Sequence, residues 1–181
     1  MPADQPVADL IRGLADRIGV PAFVAVCTDL MGGAEREAYA EELRSLTGHG
    51  WRPGDQVFDR TAWPDHWVRT WGARGLLHVW DDSATASVVA GLADPDWRPA
   101  EMCLKVVARH DVAGAGDGAA LLVDHDLPRV RAQALRALAV AGDTEHVEAV
   151  RDRLDDVDEQ VRRQAARALE RMAARLDLEE R

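Results

Sequence analysis

Apolar residues recur along the whole chain at the three- and four-residue spacing of amphipathic helices, and strand-like alternation is absent. In the N-terminal part, Val7, Leu10, Leu14 and Ile18 share one face of a predicted helix. The pattern predicts three helices there, over residues 7–18, 21–31 and 34–46, ended by Gly19, Gly32 and Gly48. We interpret residues 1–50 as an N-terminal helical cap or a degenerate repeat, and residues 49–55 as a loop or hinge.

The remainder of the chain repeats with a period of 31 residues. Moving in steps of 31 residues from Gly72 leads to Cys103, Ala134 and Ala165, which are all small. A second column holds Val57, Val88, Ala119 and Val150. Each unit predicts two helices that bury their apolar faces against the neighbouring units. The predicted fold is therefore all-α, an α-solenoid of about four helix pairs over residues 51–181 behind the N-terminal cap.

Two of these units carry a recognisable motif. In residues 122–131 and 154–162, an acidic turn is followed by Val-Arg, with alanine at the fourth place after the valine. These segments resemble HEAT repeats, in particular the bacterial bilin-lyase HEAT-like type, whereas the copy at residues 94–102 has Ala100 where the arginine is expected. The resemblance covers roughly residues 51–176 and implies that turn aspartates pair with inner-helix arginines of neighbouring repeats. By position the aspartates are Asp65, Asp96, Asp126 and Asp158, and the arginines are Arg69, Arg131 and Arg162.

The charge of the chain argues against a nucleic-acid or membrane partner. The 22 basic and 32 acidic residues give a net charge of −10, which repels polyanions at long range. The arginines of the last helix alternate with acids such as Glu159, four residues before Arg163, as on a solvated helix face. Apolar stretches are too short to span a membrane, and the acidic N-terminus is unlike a signal peptide. We expect a cytoplasmic protein.

A catalytic or metal-binding set is not predicted from the residues. The chain lacks the repeated His-Glu pairs that hold a di-iron centre in some HEAT proteins, and His110-Asp111 and His125-Asp126 are not 31 residues apart. The glycine-rich stretch 113–118 lacks the lysine of a phosphate-binding loop. We therefore predict no enzymatic activity, no cofactor and no metal.

Three tryptophans form the most distinctive local feature. Trp63, Trp67 and Trp71 follow one another at four-residue intervals, about 140° around the helix from the apolar face centred on Gly72 and Leu76. Either the N-terminal helices cover this tryptophan stripe, or it is an exposed patch for a peptide or small ligand. The candidate surface consists of Trp63, Trp67, Trp71, Arg74 and His78.

The family resemblance implies a scaffold, because proteins of this kind are mostly scaffolds and adaptors, although fold alone does not fix function. The leading hypothesis is a non-catalytic scaffold that binds a protein or peptide through its inner helices. A second hypothesis is an enzyme or enzyme accessory of the lyase or DNA-glycosylase type on the same fold. A third is self-association through the C-terminal end, where Leu169, Met172 and Leu176 have no following repeat to cover them.

Overall fold

The computed structural model describes residues 5–49 and 58–177, and all regular secondary structure in these two stretches is helical. The α-helices, numbered in chain order, are α1 Val7–Ile18, α2 Val20–Met31, α3 Ala40–Thr47, α4 Asp65–His78, α5 Thr85–Gly91, α6 Trp97–His110, α7 Gly116–Leu121, α8 Pro128–Ala141, α9 Val147–Arg151 and α10 Glu159–Leu176. Short 3-10 turns connect several of them. The all-α prediction is confirmed for the described residues.

The chain divides into two compact units, Met1–Ser87 and Val88–Arg181. The domain boundary predicted after residue 50 lies inside the first unit. Val57 and residues 50–55 of the predicted hinge lie outside the described residues.

In the first unit, glycines end the helices where the sequence predicts it. Gly19 follows α1 with a φ of 86° and donates its backbone N–H to the carbonyl of Ala15 at 2.8 Å. Gly48 ends α3 in the left-handed conformation with a φ of 77°. Positive φ values of this kind are readily accessible to glycine because it has no Cβ. The helices that these glycines separate bury one core, to which Ile11, Phe23, Leu43 and Leu46 contribute.

Helices α2 and α4 approach each other closely in this unit, and glycine makes that possible. A Cβ at Gly72 would lie 2.6 Å from the carbonyl oxygen of Cys27, and one at Gly75 would lie 2.4 Å from the Cys27 sulfur. Both distances are shorter than real Cβ atoms tolerate. The N-terminal segment therefore packs on the glycine side of α4, the side that the sequence analysis assigned to the repeat core rather than to the cap.

Helices α5 to α10 form successive pairs in register. The first helices of the pairs begin at Thr85, Gly116 and Val147, each 31 residues after the last. The second helices begin at Trp97, Pro128 and Glu159 with the same spacing. Helix α8 packs between α6 and α10. The sequence period is therefore the spacing of helix pairs in the structure.

The core of the second unit is built from equivalent positions of these helices. Cys103, Ala134 and Ala165 are completely buried. Small side chains here let neighbouring helices pack closely. Burial raises the pKa of the Cys103 thiol to about 12. Among the described helices, none combines the length and apolar character needed to cross a bilayer.

The end of the second unit differs from the apolar patch that the sequence predicted. Met172 is completely buried, and a Cβ at Gly142 would lie 3.2 Å from its Cε. Leu169 and Leu176 are partly exposed. The prediction of an exposed apolar patch was therefore wrong for Met172, because this side chain packs inward against the C-terminal end of α8.

Candidate functional site

The three tryptophans form one aromatic cluster in the first unit. Trp63 lies in the turn before α4, whereas Trp67 and Trp71 lie on the helix. Their ring centroids are 5.5 Å apart for Trp63 and Trp71, 5.7 Å for Trp63 and Trp67, and 6.2 Å for Trp67 and Trp71. These separations are within the range of favourable aromatic pairs.

Exposure divides the cluster. Trp71 is only 3% exposed, whereas Trp63 and Trp67 are partly exposed. A ligand at the intact surface can therefore reach the rings of Trp63 and Trp67 but hardly that of Trp71. The Trp71 end of the cluster is therefore typical of interior packing rather than of an open ligand site.

Arg74 contacts the protein's own backbone. Its Nη1 donates to the carbonyl oxygen of Leu46, in the last turn of α3, at 3.4 Å. Carbonyls in the last turn of a helix lack intrahelical partners and favour a nearby cation. Burial lowers the pKa of the Arg74 guanidinium, and His78 is also partly buried. A ligand carboxylate would have to compete with the end of α3 for Arg74.

Arg36 holds the start of the tryptophan cluster, and sequence analysis did not identify it. Its side chain is 1% exposed. It donates to the Trp63 carbonyl at 2.7 Å and to Asp65 Oδ1 at 2.5 Å. The hydrogen bond from Arg36 is the main cause that lowers the pKa of Asp65. The chain has many arginines, and the residues around Arg36 in the sequence do not distinguish it from the others. Its burial could therefore not be predicted from the sequence.

In the second unit, the turns before α6, α8 and α10 repeat one hydrogen bond. The side chains of Asp94, His125 and Asp156, which lie 31 residues apart, each accept the backbone N–H two residues later, at 2.9, 3.0 and 2.9 Å. This contact closes the turn and starts the second helix of each pair. Asp158 instead caps α10 by accepting from Gln160 and Val161.

The ion pairing implied by the family resemblance occurs with a different aspartate. Arg131 donates from Nε and Nη2 to Asp156 at 2.8 and 2.7 Å, and both side chains are buried. Of the aspartates that the resemblance implied, Asp126 contributes its backbone carbonyl, 3.1 Å from Arg131 Nη1, and Asp158 caps α10. Asp65 pairs with Arg36 and Arg60. The prediction was therefore wrong about the partners of Arg131 and Asp65; for Arg131, the acid that points inward is two residues before the helix cap.

A row of cations lies along the second helices of the pairs. We call it the basic face, and its members are Arg98, Lys105, Arg129, Arg136 and Arg167. Lys105, Arg136 and Arg167 occupy equivalent places on α6, α8 and α10, 31 residues apart, as do Arg98 and Arg129 on the first two. Arg136 and Arg167 are exposed, and Arg129 has 58% of its side chain exposed.

Neighbouring side chains hold this face in place. Glu101 is buried and accepts from Arg129 Nη2 at 2.9 and 3.0 Å, and Lys105 Nζ lies 3.2 Å from it. The guanidinium carbons of Arg98 and Arg129 lie 4.4 and 4.8 Å from the ring centroid of Trp97. These are cation–π distances. Neither the contacts of Trp97 nor the row was predicted from the sequence. The 31-residue spacing of its cations could have revealed it.

One group of side chains in the described residues has the proximity of metal ligands. Asp117, Glu145 and His146 each place a ligand atom within 4.8 Å of the others. However, His146 Nδ1 accepts the Asp143 N–H at 2.8 Å, and its Nε2 lies 3.0 Å from Asp117 Oδ1. A neutral imidazole that accepts at Nδ1 carries its proton on Nε2, which leaves no lone pair for a metal. The group is therefore better described as the cap of the turn before α9.

Comparison with known proteins supports the repeat architecture. Residues 119–179 match the family model of HEAT repeats. The crystal structure of an engineered protein from the Northeast Structural Genomics Consortium is similar, with a TM-score of 0.50 and 17% identity, over 94% of this chain and 98% of that chain. This level of identity shows the fold alone, and the search of curated proteins gives no significant match. Residues 119–179 are therefore similar to HEAT repeats.

Proposed function

We propose that this chain is a non-catalytic scaffold that binds a partner protein through the basic face of its HEAT pairs. HEAT repeats commonly mediate protein interactions. A cytoplasmic location and the bilin-lyase-like subtype are parts of the same proposal.

The observation that carries the proposal is the in-register presentation of Lys105, Arg136 and Arg167. These side chains project from three packed helices whose cores are completely buried at Cys103, Ala134 and Ala165. Binding groups that are held on a rigid core lose little entropy when a partner docks. Repeat arrays use extended surfaces of this kind for partners.

The interactions of the reactive side chains favour a scaffold over an enzyme. Asp156 and Arg131 bond to each other and to backbone groups, and both ring nitrogens of His146 have partners in the turn. Arg74, which an active site would need beside an acid, contacts the end of α3. These groups have structural roles that leave little freedom for proton transfer or nucleophilic attack.

Affinity capture from an extract of the source cells tests the proposal. The immobilised baits are the full chain, the variant Arg136→Gln/Arg167→Gln, and the control Arg12→Gln/Arg151→Gln. The control changes the net charge equally at exposed arginines of α1 and α9, which do not carry the face. We expect a specific set of proteins with the full chain and the control that is depleted with the basic-face variant. Identical recovery with all three baits would contradict the proposal.

A further inference from the structure

We infer that the partner segment recognised by the basic face is an extended acidic stretch of protein with a carboxylate at about every third residue. This inference rests on the proposed function and specifies the chemistry of the partner. It follows from the charge of the face, its repeat spacing and the charges around it.

The face has an excess of positive charge in a chain whose net charge is −10. Five cations lie in the row; Glu101 pairs with two of them, and Glu170 lies one helix turn from Arg167. The corresponding positions on α8 and α10 are Ala132 and Arg163. A cationic patch on an acidic protein attracts an anionic partner locally while the rest of the molecule repels large polyanions.

Four of the five cations on the face have neighbouring side chains that orient them before any partner binds. Glu101 and the Trp97 ring hold Arg129, Glu101 also holds Lys105, and Arg136 donates to Gln133 Oε1 at 2.9 Å. An arginine or lysine that already has a restricted set of rotamers loses less entropy on pairing with a carboxylate. The exposed part of each guanidinium keeps donors available, because arginine has five N–H groups in a planar fork.

The spacing of the helices determines the spacing of the carboxylates. Packed helices are separated by about 8–10 Å. An extended chain of the polyproline II type advances about 3.1 Å per residue with three residues per turn, so side chains three residues apart lie on the same side of it. A segment that crosses α6, α8 and α10 along Lys105, Arg136 and Arg167 therefore passes about three residues per repeat. Acidic side chains three residues apart would meet one cation on each helix, so that about seven residues contact all three.

The surroundings of the face favour a protein segment over a nucleic acid. Asp124, Asp126, Asp152 and Asp155 outnumber Arg131 and Arg153 among the charged residues that line a cavity of about 360 Å³ at the turns that precede α8 and α10. A phosphate backbone that extended beyond the row would meet a chain whose net charge is −10. Nucleic-acid binding gains affinity with each phosphate that a cation neutralises, and two of the five cations in the row, Lys105 and Arg129, already pair with Glu101. A short acidic peptide makes its contacts within the row.

Fluorescence anisotropy with labelled peptides tests the inference on the full chain. The probe is the heptapeptide Glu-Ser-Gly-Glu-Ser-Gly-Glu, and the matched control is Glu-Glu-Glu-Ser-Gly-Ser-Gly, which has the same composition and charge. We expect the spaced peptide to bind more tightly than the clustered one. Arg136→Gln/Arg167→Gln should weaken its binding about tenfold, and the loss should be smaller at high salt. Arg136→Lys/Arg167→Lys should retain most of the binding, since the charges remain.

Three results would overturn the inference. They are equal affinity for the two peptides, equal weakening by the charge-matched control Arg12→Gln/Arg151→Gln, and stronger binding of a single-stranded oligonucleotide of the same charge. Protein capture that depends on the basic face, together with absence of peptide preference, would leave the scaffold function standing and reject the acidic segment. Capture that is indifferent to the face would reject both.

Discussion

Arg131 and Asp156 form a buried, two-pronged ion pair between the second helix of one repeat and the turn of the next. Arg131 Nη1 also donates to the carbonyls of His125 and Asp126, so one side chain bridges two successive turns. Ala100 occupies the position equivalent to Arg131 one repeat earlier, and His125 occupies the position equivalent to Asp156. Where the arginine is missing, the acid of the following turn is missing too.

This pair is the basis of the first prediction. Asp156→Asn keeps an oxygen for the Asp158 N–H but leaves the Arg131 charge uncompensated in a buried site. Breaking one side of a buried ion pair costs ~3–5 kcal/mol. The exposed pair Glu148–Arg151 is the control, because Glu148→Gln should cost less than ~1 kcal/mol. Chemical denaturation measures the stability of both variants. Similar free energies of unfolding would show that the buried pair stabilises the fold no more than the exposed pair.

The second prediction concerns acid. The hydrogen bond from Arg131 is the main cause that holds the pKa of Asp156 below its ordinary value. Because the folded-state pKa is the lower one, the pair stabilises the fold fully above the unfolded-state value of about 3.9. That stabilisation is lost as the pH falls through the folded-state pKa.

The free energy of unfolding of the wild type and Asp156→Asn should therefore differ by a constant amount above about pH 5 and converge below about pH 4. Urea denaturation over this pH range measures the difference. A gap between the two proteins that persists unchanged in acid would contradict the assignment of the pH dependence to this pair.

The third prediction tests the close contact of α2 and α4. Gly75→Ala would place a Cβ 2.4 Å from the Cys27 sulfur and 2.9 Å from Leu46 Cδ2, and such overpacking typically costs ~1–3 kcal/mol. Gly13→Ala is the matched control. A Cβ added at Gly13 would have nothing within 4 Å, so this variant should be more stable by ~0.5–1 kcal/mol because alanine favours the helix. The melting temperatures of the two variants should shift in opposite directions. Adding Cys27→Ala to Gly75→Ala should restore part of the lost stability.

Sequence periodicity was sufficient for the helices because each pattern is local. The bounds of α1 follow from its apolar face and Gly19, and the 31-residue period gives the starts of α6, α8 and α10. Periodicity shows that α4 has an aromatic side and a small-residue side but does not show which side meets which partner. The glycines decide it, because α2 can approach only where no Cβ stands in the way.

The candidate sites were harder to predict than the fold because they depend on which side chains point inward. The turn around residues 155–158 offers Asp155, Asp156 and Asp158, and the sequence does not reveal that Asp156 is the one that pairs with Arg131. Arg36 donates to Asp65, which lies 29 residues later in the chain. A pairing of this kind follows from the packing of helices and leaves no local pattern in the sequence.

The fourth prediction compares equivalent positions of successive repeats. Leu138 is completely buried, and Leu169, 31 residues later, is partly exposed. Leu138→Ala should cost ~2–5 kcal/mol, as expected for a buried leucine that leaves a cavity. Leu169→Ala should cost clearly less, because water already reaches part of that side chain. Equal denaturation midpoints for the two variants would argue against the difference in burial.

The last prediction concerns the tryptophan cluster. Trp71 is 3% exposed and lies 5.5 and 6.2 Å from its neighbours, so Trp71→Ala removes a buried ring and should cost ~3–5 kcal/mol. Trp67→Ala should cost less, since that ring is partly exposed. In acrylamide quenching, Trp67→Ala should remove more of the accessible fluorescence than Trp71→Ala. If Trp71→Ala instead left stability unchanged and weakened partner capture, the cluster would be a binding site, and the basic face would no longer be the sole candidate surface.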